Sequence, residues 1–367
     1  MNQPDVVDQS GTAGITRTIP PFRADQVGSL LRPRVLKAAR QRRERGEITA
    51  ADLKAVEDRE IRALIVKQEN AGLQAVTDGE FRRSYWHLDF LEGLEGVESF
   101  EAGLRVTGRI DFPGSHPMLG HFRFLRDHAK VVPKMTIPSP SVLHFRGGRA
   151  TVSPQSYPDM ELFFEDLGDA YRKAVRAFAD IGCRYLQLDE VNFACLCDSD
   201  QRAKLQARGD EPERLPQIYA ATINRAISGR PVDMVISIHV CLGNYRSSWI
   251  AQGGYEPIAD VLFHQVGVDA YFMEYDTDRA GGFEPLRLLP KGKFAVLGLV
   301  SSKYGVLESK DEIKRRIDEA AKFVSLDQLC LSPQCGFAGT DEGNNLSEQD
   351  QWTKLERIVE VAQEVWG

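Results

Sequence analysis

The sequence predicts an α/β fold, a (β/α)8 (TIM) barrel built as a single domain with an inserted hairpin after the second strand. Three observations predict it. Eight short runs rich in Val, Ile, Leu and Tyr are spread along the chain. Segments of helical period lie between most of them, and hairpin signals between neighbouring runs are few. The length, 367 residues, suits one large barrel. An open doubly wound sheet is the alternative, but no GxGxxG phosphate loop follows the first run.

Taken in order, the first twenty residues, "MNQPDVVDQSGTAGITRTIP", have neither an apolar core nor a basic start. Residues 1–20 therefore read as a flexible polar tail and not a secretory signal, and residues 21–367 as the barrel. The predicted strands are "FRADQVGS", "LQAVTDGE", "KMTIPSPS", "RYLQLDE", "MVISIHVC", "AYFMEYD", "FAVLGLVSS" and "QLCLSPQCG". Asp52 to Asn70 is amphipathic, with Leu53, Val56, Ile61 and Leu64 on one broad face. Leu162–Ile181, Pro212–Ile227, Ser309–Val324 and Ser347–Val365 repeat that period, and Ser309 with Glu312 forms a capping signature. Between the second and third runs, "FEAGLRVTGRIDF" reads as the inserted hairpin, and His116 to His128 as loop and helix.

The bulk properties exclude several classes. The chain is 42% hydrophobic and 27% charged, with a formal net charge of -7 and a pI near 5.6. That balance argues against a nucleic-acid partner or an anionic membrane surface. No run approaches the roughly 18 apolar residues of a membrane span. Cys183, Cys195, Cys197, Cys241, Cys330 and Cys335, in a long chain without a signal sequence, read as reduced thiols of a cytoplasmic enzyme.

In such barrels the active site lies at the C-terminal ends of the strands. The eight runs end on Gly28-Ser29, Asp78-Gly79-Glu80, Ser139, Asp189-Glu190, His239-Val240-Cys241, Glu274-Tyr275-Asp276, Ser301-Ser302-Lys303 and Cys335-Gly336. Burying so many polar groups at one rim without partners would cost several kcal/mol apiece, roughly, so the rim reads as a site. Residues two apart on a strand share a face, which sets His239 beside Cys241. The pair is either a set of metal ligands or an ordinary core His and Cys. With Cys335 and Glu274 at matching rims, the metal reading is favoured: His239, Cys241, Glu274 and Cys335 make a tetrahedral zinc set. The structural alternatives are a packed thiol for Cys335 and a salt-bridged carboxylate for Glu274. Cys195 and Cys197 have no partner pair and read as unliganded.

"RADQVGSLLRP", "TDGEF", "LQLDE", "SIHVC" and "LSPQCGF", in that order, resemble the catalytic barrel of cobalamin-independent methionine synthases, above all its short single-barrel bacterial form. The resemblance runs from about Pro21 to the C-terminus. It implies Zn2+ on His239, Cys241, Glu274 and Cys335, with the carboxylate displaced as substrate sulfur arrives. It implies that a methyl group passes from 5-methyltetrahydrofolate to the thiolate of homocysteine, forming methionine. By the same resemblance Glu80 and Asp189 hold the amine of homocysteine, and Gly28 and Ser29 its carboxylate.

Two departures stand beside it. The N-terminal barrel of the full-length enzymes, which helps bind the folate tail, has no counterpart in this sequence. The His that the family places after strand seven is missing from "LGLVSSKYG", which leaves Lys303, Tyr304 and Asp276 as candidate proton donors. Three alternatives follow: a methyl-corrinoid carrier as donor, a coenzyme M-type thiol as acceptor, or a non-catalytic thiol amino-acid binding protein. In "GEFRRSYWHLDF", Arg82, Arg83, Trp86 and His87 form an aromatic and cationic loop that either meets a pterin or packs on the barrel.

Overall fold

The computed structural model describes residues 17–100 and 103–367; the predicted tail falls largely on residues 1–16, outside them. Seven parallel strands form one curled sheet: β1 (Ala75–Val76), β4 (Val132–Pro138), β5 (Tyr185–Asp189), β6 (Val235–Val240), β7 (Ala270–Glu274), β8 (Phe294–Val300) and β9 (Leu329–Pro333), hydrogen-bonded in that order. On the free edge of β9 the chain near its start adds a parallel bridge, Ala24 to Leu331. There Asp25 N donates to Leu331 O at 3.0 Å and Leu331 N to Arg23 O at 2.9 Å. The fold is α/β and TIM-barrel-like.

β4 to β9 are buried along nearly their whole length, as parallel strands covered on both faces are. One face packs on the helices through the main hydrophobic core. The other carries a smaller cluster, Phe22, Val27, Ala75, Tyr185, Ala270, Phe272, Val296 and Cys330. Side chains alternate, so Tyr185 shares its face with Asp189, and Ala270 and Phe272 share theirs with Glu274. The interior apolar cluster thus lies below the polar strand ends. At the opposite end of the strands, Lys134 and Asp25 form a fully buried ion pair at 3.3 Å. Tyr185 Oη donates to Asp25 Oδ2 at 2.8 Å, and Lys134 Nζ stands 4.0 Å from the centre of the Phe272 ring.

The helices follow the expected period with shifted ends. Ala50–Asn70, Met160–Asp180, Leu215–Ile227, Lys310–Ala320 and Glu348–Trp366 match the five predicted ones. The Ser309 side chain accepts from Glu312 N, and Thr49 and Ser347 open their helices with full capping boxes. Arg34–Glu44, Pro117–His128 and Glu256–Gln265 complete the larger helices. No helix among the described residues is long and apolar enough to cross a membrane.

The first two predicted strands are mostly irregular. "FRADQVGS" keeps only its bridge at Ala24, and "LQAVTDGE" only Ala75–Val76. Gly28 has φ 144°, and a Cβ there would meet Thr136 Cγ2 at 2.5 Å, so the chain must leave the ladder at a glycine. The stretch read as a hairpin, Phe100–Phe112, is not one by itself. It supplies β3 (Gly103–Asp111), whose antiparallel partner β2 (Glu95–Phe100) lies upstream of it.

Candidate metal centre

Parallel register sets Asp189 of β5 opposite His239 of β6. His239 Nδ1 lies 3.3 Å from Asp189 Oδ1, which also accepts from Gln187 Nε2 at 2.7 Å. A carboxylate on one ring nitrogen fixes the tautomer and leaves the other nitrogen to bind a metal. Cys241 follows β6 directly, and Cys335 follows β9. The ligand atoms of His239, Cys241 and Cys335 all lie within 4.8 Å of one another.

The two sulfurs are 3.9 Å apart. A disulfide would need about 2.0 Å, whereas two thiolates on one tetrahedral zinc, each at ~2.3 Å, stand about 3.8 Å apart. The donor set therefore fits zinc. The same separation puts the two sulfurs within hydrogen-bond reach of each other. Cys335 is drawn well below the ordinary thiol range by its bond to Cys241, then by His239 and Lys303. Cys241 is driven up by the same bond and by burial. Burial lowers the His239 pKa, but hydrogen bonds to Asp189 and Cys335 outweigh it and raise it to about 10.

Glu274, the fourth residue of the expected set, stands outside this group of three and holds other partners. Its Oε2 accepts from Leu242 N at 3.0 Å and its Oε1 from Trp249 Nε1 at 3.1 Å, with Lys303 Nζ 3.8 Å from Oε1. Both oxygens already have partners. Burial, offset by Lys303, raises its pKa to about 7.

The cluster opens on a cavity of about 440 Å³ whose walls include Ser29, Glu80, Asp189, His239, Cys241 and Cys335. Tyr85, Tyr245 and Ile250, all partly exposed, stand at its mouth beside Trp86, His87 and Arg146. A cavity of about 830 Å³ on the flank, between the Met160–Asp180 and Leu215–Ile227 helices, is larger. Its ionic groups are already engaged: Arg225 with Asp169 and Glu165, Arg214 with Glu211, and His144 Nδ1 with Tyr219 Oη. The smaller cavity holds the chemistry.

Glu80 is a buried carboxylate of that cavity with one oxygen left unpartnered. Its backbone is left-handed, φ 61°. Oε1 accepts from Thr136 Oγ1 at 2.9 Å and pairs with Arg83 Nη1 at 3.2 Å, while Oε2 is buried with no partner. Burial, opposed by Arg83 and reinforced by Asp189, raises its pKa to about 7. A fully buried Arg32 braces the rim by donating to the carbonyls of Glu80 (3.0 Å), Arg83 (3.3 Å) and Ala338.

Several expectations need correction. Lys303, Tyr304 and Asp276 do not line the cavity. Lys303 is fully buried behind Glu274, Asp276 has two unpartnered oxygens beyond it, and Tyr304 is 43% exposed outside, 6.3 Å ring to ring from Trp249. Gly28 serves the backbone and is not a cavity wall. Arg82 turns away to Glu57 and Asp58, and Arg83 is spent on Glu80 and Thr136, whereas Trp86 and His87 do line the cavity. Glu190 caps the short helix Asn192–Cys195 by accepting from Asn192 N at 2.7 Å. Cys195 and Cys197, pushed up to about 12 by burial, stand outside the metal cluster. Trp249 and Asn244 were not foreseen. Asn244 donates to Gly336 O at 3.2 Å and keeps a buried, unpartnered Oδ1 at the cavity wall.

Comparison with known proteins adds a family to this geometry. Residues 22–364 match the family described as the cobalamin-independent synthase catalytic domain. The chain is 49% identical over 362 residues to the uncharacterized protein YxjH of Bacillus subtilis, covering 94% of this chain and 95% of that one. It is 27% identical over 345 residues to the methionine synthase of Pyrococcus abyssi, covering 91% of each. A crystal structure from Listeria monocytogenes, described as a candidate vitamin-B12-independent methionine synthase, superposes with a TM-score of 0.82. It shares 42% identity and covers 96% of this chain and all of that one.

Proposed function

We propose that this chain, which belongs to the cobalamin-independent methionine synthase family and is accordingly a methyltransferase, transfers a methyl group to the thiolate of homocysteine to give methionine, with residues 21–367 as the catalytic unit. The observation that carries the reading is one cavity lined by two kinds of group. The first is His239, Cys241 and Cys335, a donor set fit for zinc. The second is a pair of carboxylates, Glu80, whose buried Oε2 has no partner, and Asp189.

Bound zinc would lower the pKa of the substrate thiol so that a nucleophilic thiolate exists at neutral pH. The chain's own residues supply the rest. Glu80 Oε2 accepts a hydrogen bond from the substrate ammonium, and Asp189 adds a second carboxylate while steadying His239. Ser29 offers a hydroxyl donor to the substrate carboxylate. The sulfur lone pair forms the S–C bond as the donor–methyl bond breaks, and its electron pair departs with the donor. Coenzyme M has no amine and would leave Glu80 unsatisfied, so an amino-acid thiol is the better acceptor.

For the donor, 5-methyltetrahydrofolate fits the aromatic mouth formed by Tyr85, Trp86 and Tyr245. A methyl-corrinoid carrier is a second reading, favoured by one observation: Lys303, Tyr304 and Asp276 all lie off the cavity, so the foreseen proton donors do not reach a leaving group that needs one. The test is methionine formation by zinc-loaded, reduced protein from homocysteine and 5-methyltetrahydrofolate. Turnover that chelation abolishes supports the folate reading. No turnover with folate, but turnover with a methyl-corrinoid protein, supports the second, and no methionine with either refutes the synthase assignment.

A further inference from the structure

The cavity wall carries three carboxyl groups, on Glu80, Asp189 and Glu190, but only one Arg or Lys, which is Arg146. Arg146 follows the short helix Val142–Phe145 beyond β4. It is exposed, as are Tyr85 and Tyr245, whereas His239 and Cys241 are buried. Exposure thus orders the wall, with the His–Cys cluster deep and Arg146 at the mouth. Among the described residues the Arg146 guanidinium makes no ion pair and donates no hydrogen bond. The one group of opposite sign near it is the Cys195 thiol, which burial keeps neutral. The other cations of the region are spent: Arg82 on Glu57 and Asp58, Arg83 on Glu80, Arg208 on Asp210 and Arg246 on Glu342. The Arg146 backbone is nonetheless held. Arg208 Nη1 donates to its carbonyl at 2.8 Å, passing Gly148, where a Cβ would meet Arg208 Nε at 2.8 Å. On the same wall burial, and then the Arg146 charge, lower the His87 pKa to about 3, so that ring is neutral. The mouth therefore holds one unpaired positive charge beside the rings of Tyr85, Trp86 and Tyr245.

We propose that Arg146 selects the methyl donor by binding a carboxylate at the donor's far end, so that the cavity takes an anionic donor in preference to its neutral isostere. The proposal rests on the folate reading above. In 5-methyltetrahydrofolate the methyl group sits on the pterin, and the glutamate carboxylates lie at the opposite end of the molecule. A donor that delivers its methyl group at the deep cluster therefore leaves its glutamate toward the mouth. An anion entering there approaches Glu80, Asp189 and Glu190 and is repelled wherever these are ionised, unless a cation stands in its path. Arg146 supplies that cation. Its planar fork suits a carboxylate, which it can meet with two parallel hydrogen bonds. Having no partner of its own, it breaks no ion pair in doing so.

The test is calorimetric binding to the full, zinc-loaded chain, without homocysteine so that no turnover intervenes. The two probes are 5-methyltetrahydrofolate and its diamide, in which both glutamate carboxylates are carboxamides of the same shape. The wild type should prefer the carboxylate form by roughly five- to tenfold, the scale of a part-exposed bidentate ion pair, and added salt should narrow that preference. Arg146→Gln should lose the preference while keeping the wild-type affinity for the diamide, a split that a merely structural role would not produce. Arg146→Lys, which keeps the charge but not the fork, should retain part of it. That variant decides if Arg146→Gln does not fold, an undiminished preference overturning the proposal. A preference that survives in Arg146→Gln, or equal losses for both probes, would overturn it as well. If the wild type binds both probes alike, the proposal falls and the folate reading stands. If it binds neither, the folate reading fails and the proposal with it.

Discussion

Replacing Glu80 with Gln should cost the enzyme its preference for a thiol that carries an amine. The geometry makes the change clean. Thr136 Oγ1 at 2.9 Å and Arg83 Nη1 at 3.2 Å both address Oε1, and the amide oxygen of Gln can take that place. The amide nitrogen then occupies the position of the unpartnered Oε2 and presents a donor where an ammonium would need an acceptor. A hydrogen bond to a charged group contributes about 1.5–3 kcal/mol, and each ~1.4 kcal/mol is a factor of ten. Homocysteine affinity should therefore fall roughly 10- to 150-fold. The assay is calorimetric binding to zinc-loaded protein of homocysteine and of 4-mercaptobutyrate, which is the same molecule without the amine. The wild type should favour homocysteine, and Glu80→Gln should bind the two nearly alike, with 4-mercaptobutyrate little changed. Equal losses for both ligands would refute the assignment of Glu80 to the amine, because they would show general damage to the cavity.

Further outcomes follow from the same geometry. Cys335→Ala leaves only His239 and Cys241 of the cluster, so zinc retained through dialysis should drop to a trace and activity with it; unchanged zinc content would mean the site is misplaced. The pKa of Glu80 is raised to about 7, so homocysteine affinity should climb as pH rises from 6 to 8 more steeply than in Glu80→Gln, where only the substrate thiol still gives up its proton. In stability the sign is opposite. The neutral carboxyl favours the fold, a contribution fully present below the unfolded value near 4.5 and lost as pH rises through about 7; denaturation midpoints of wild type and Glu80→Gln across that window measure it. Lys134→Met orphans the buried Asp25 carboxylate and should cost about 3–5 kcal/mol, read by urea denaturation, with metal content intact because the pair sits at the far end of the strands. A shift under about 1 kcal/mol would show that the pair adds little.

The strands from β4 onward were legible because buried parallel strands read as continuous apolar runs. The first two were over-read: Gly28, and Gly79 followed by left-handed Glu80, leave the ladder within a few residues, and sequence period alone does not register that. The helix Arg34–Glu44 went unread because only Leu36, Ala39 and Arg40 of its eleven residues are buried, and Glu256–Gln265 because its ten residues, with Pro257 second among them, show little period.

In the site, His239, Cys241 and Cys335 could be brought together from strand alternation and rim position. Where Glu274 spends its oxygens could not, because Trp249 comes from the loop after β6 and Lys303 from the end of β8. Asp189 was foreseen for the amine, but its contact with His239 follows from inter-strand register. The proton-donor expectation failed on direction: Lys303 and Asp276 stand at the rim in sequence, yet neither lines the cavity in space.

The parallel bridge between Ala24 and Leu331 bears on how a growing chain acquires its activity. Residues 23–25 leave the ribosome early and must wait for residues about three hundred positions later before they find their edge. Contacts this distant close slowly, after the local ones. Ser29 and Cys335 flank the two segments that the bridge joins, so the cavity wall cannot close until β9 has been made. A nascent or truncated chain carries His239 and Cys241 without Cys335 and offers a metal only two of its three donors. If the cluster holds zinc as proposed, metal uptake would report that synthesis has passed residue 335, and a chain interrupted before it would fail to retain the metal.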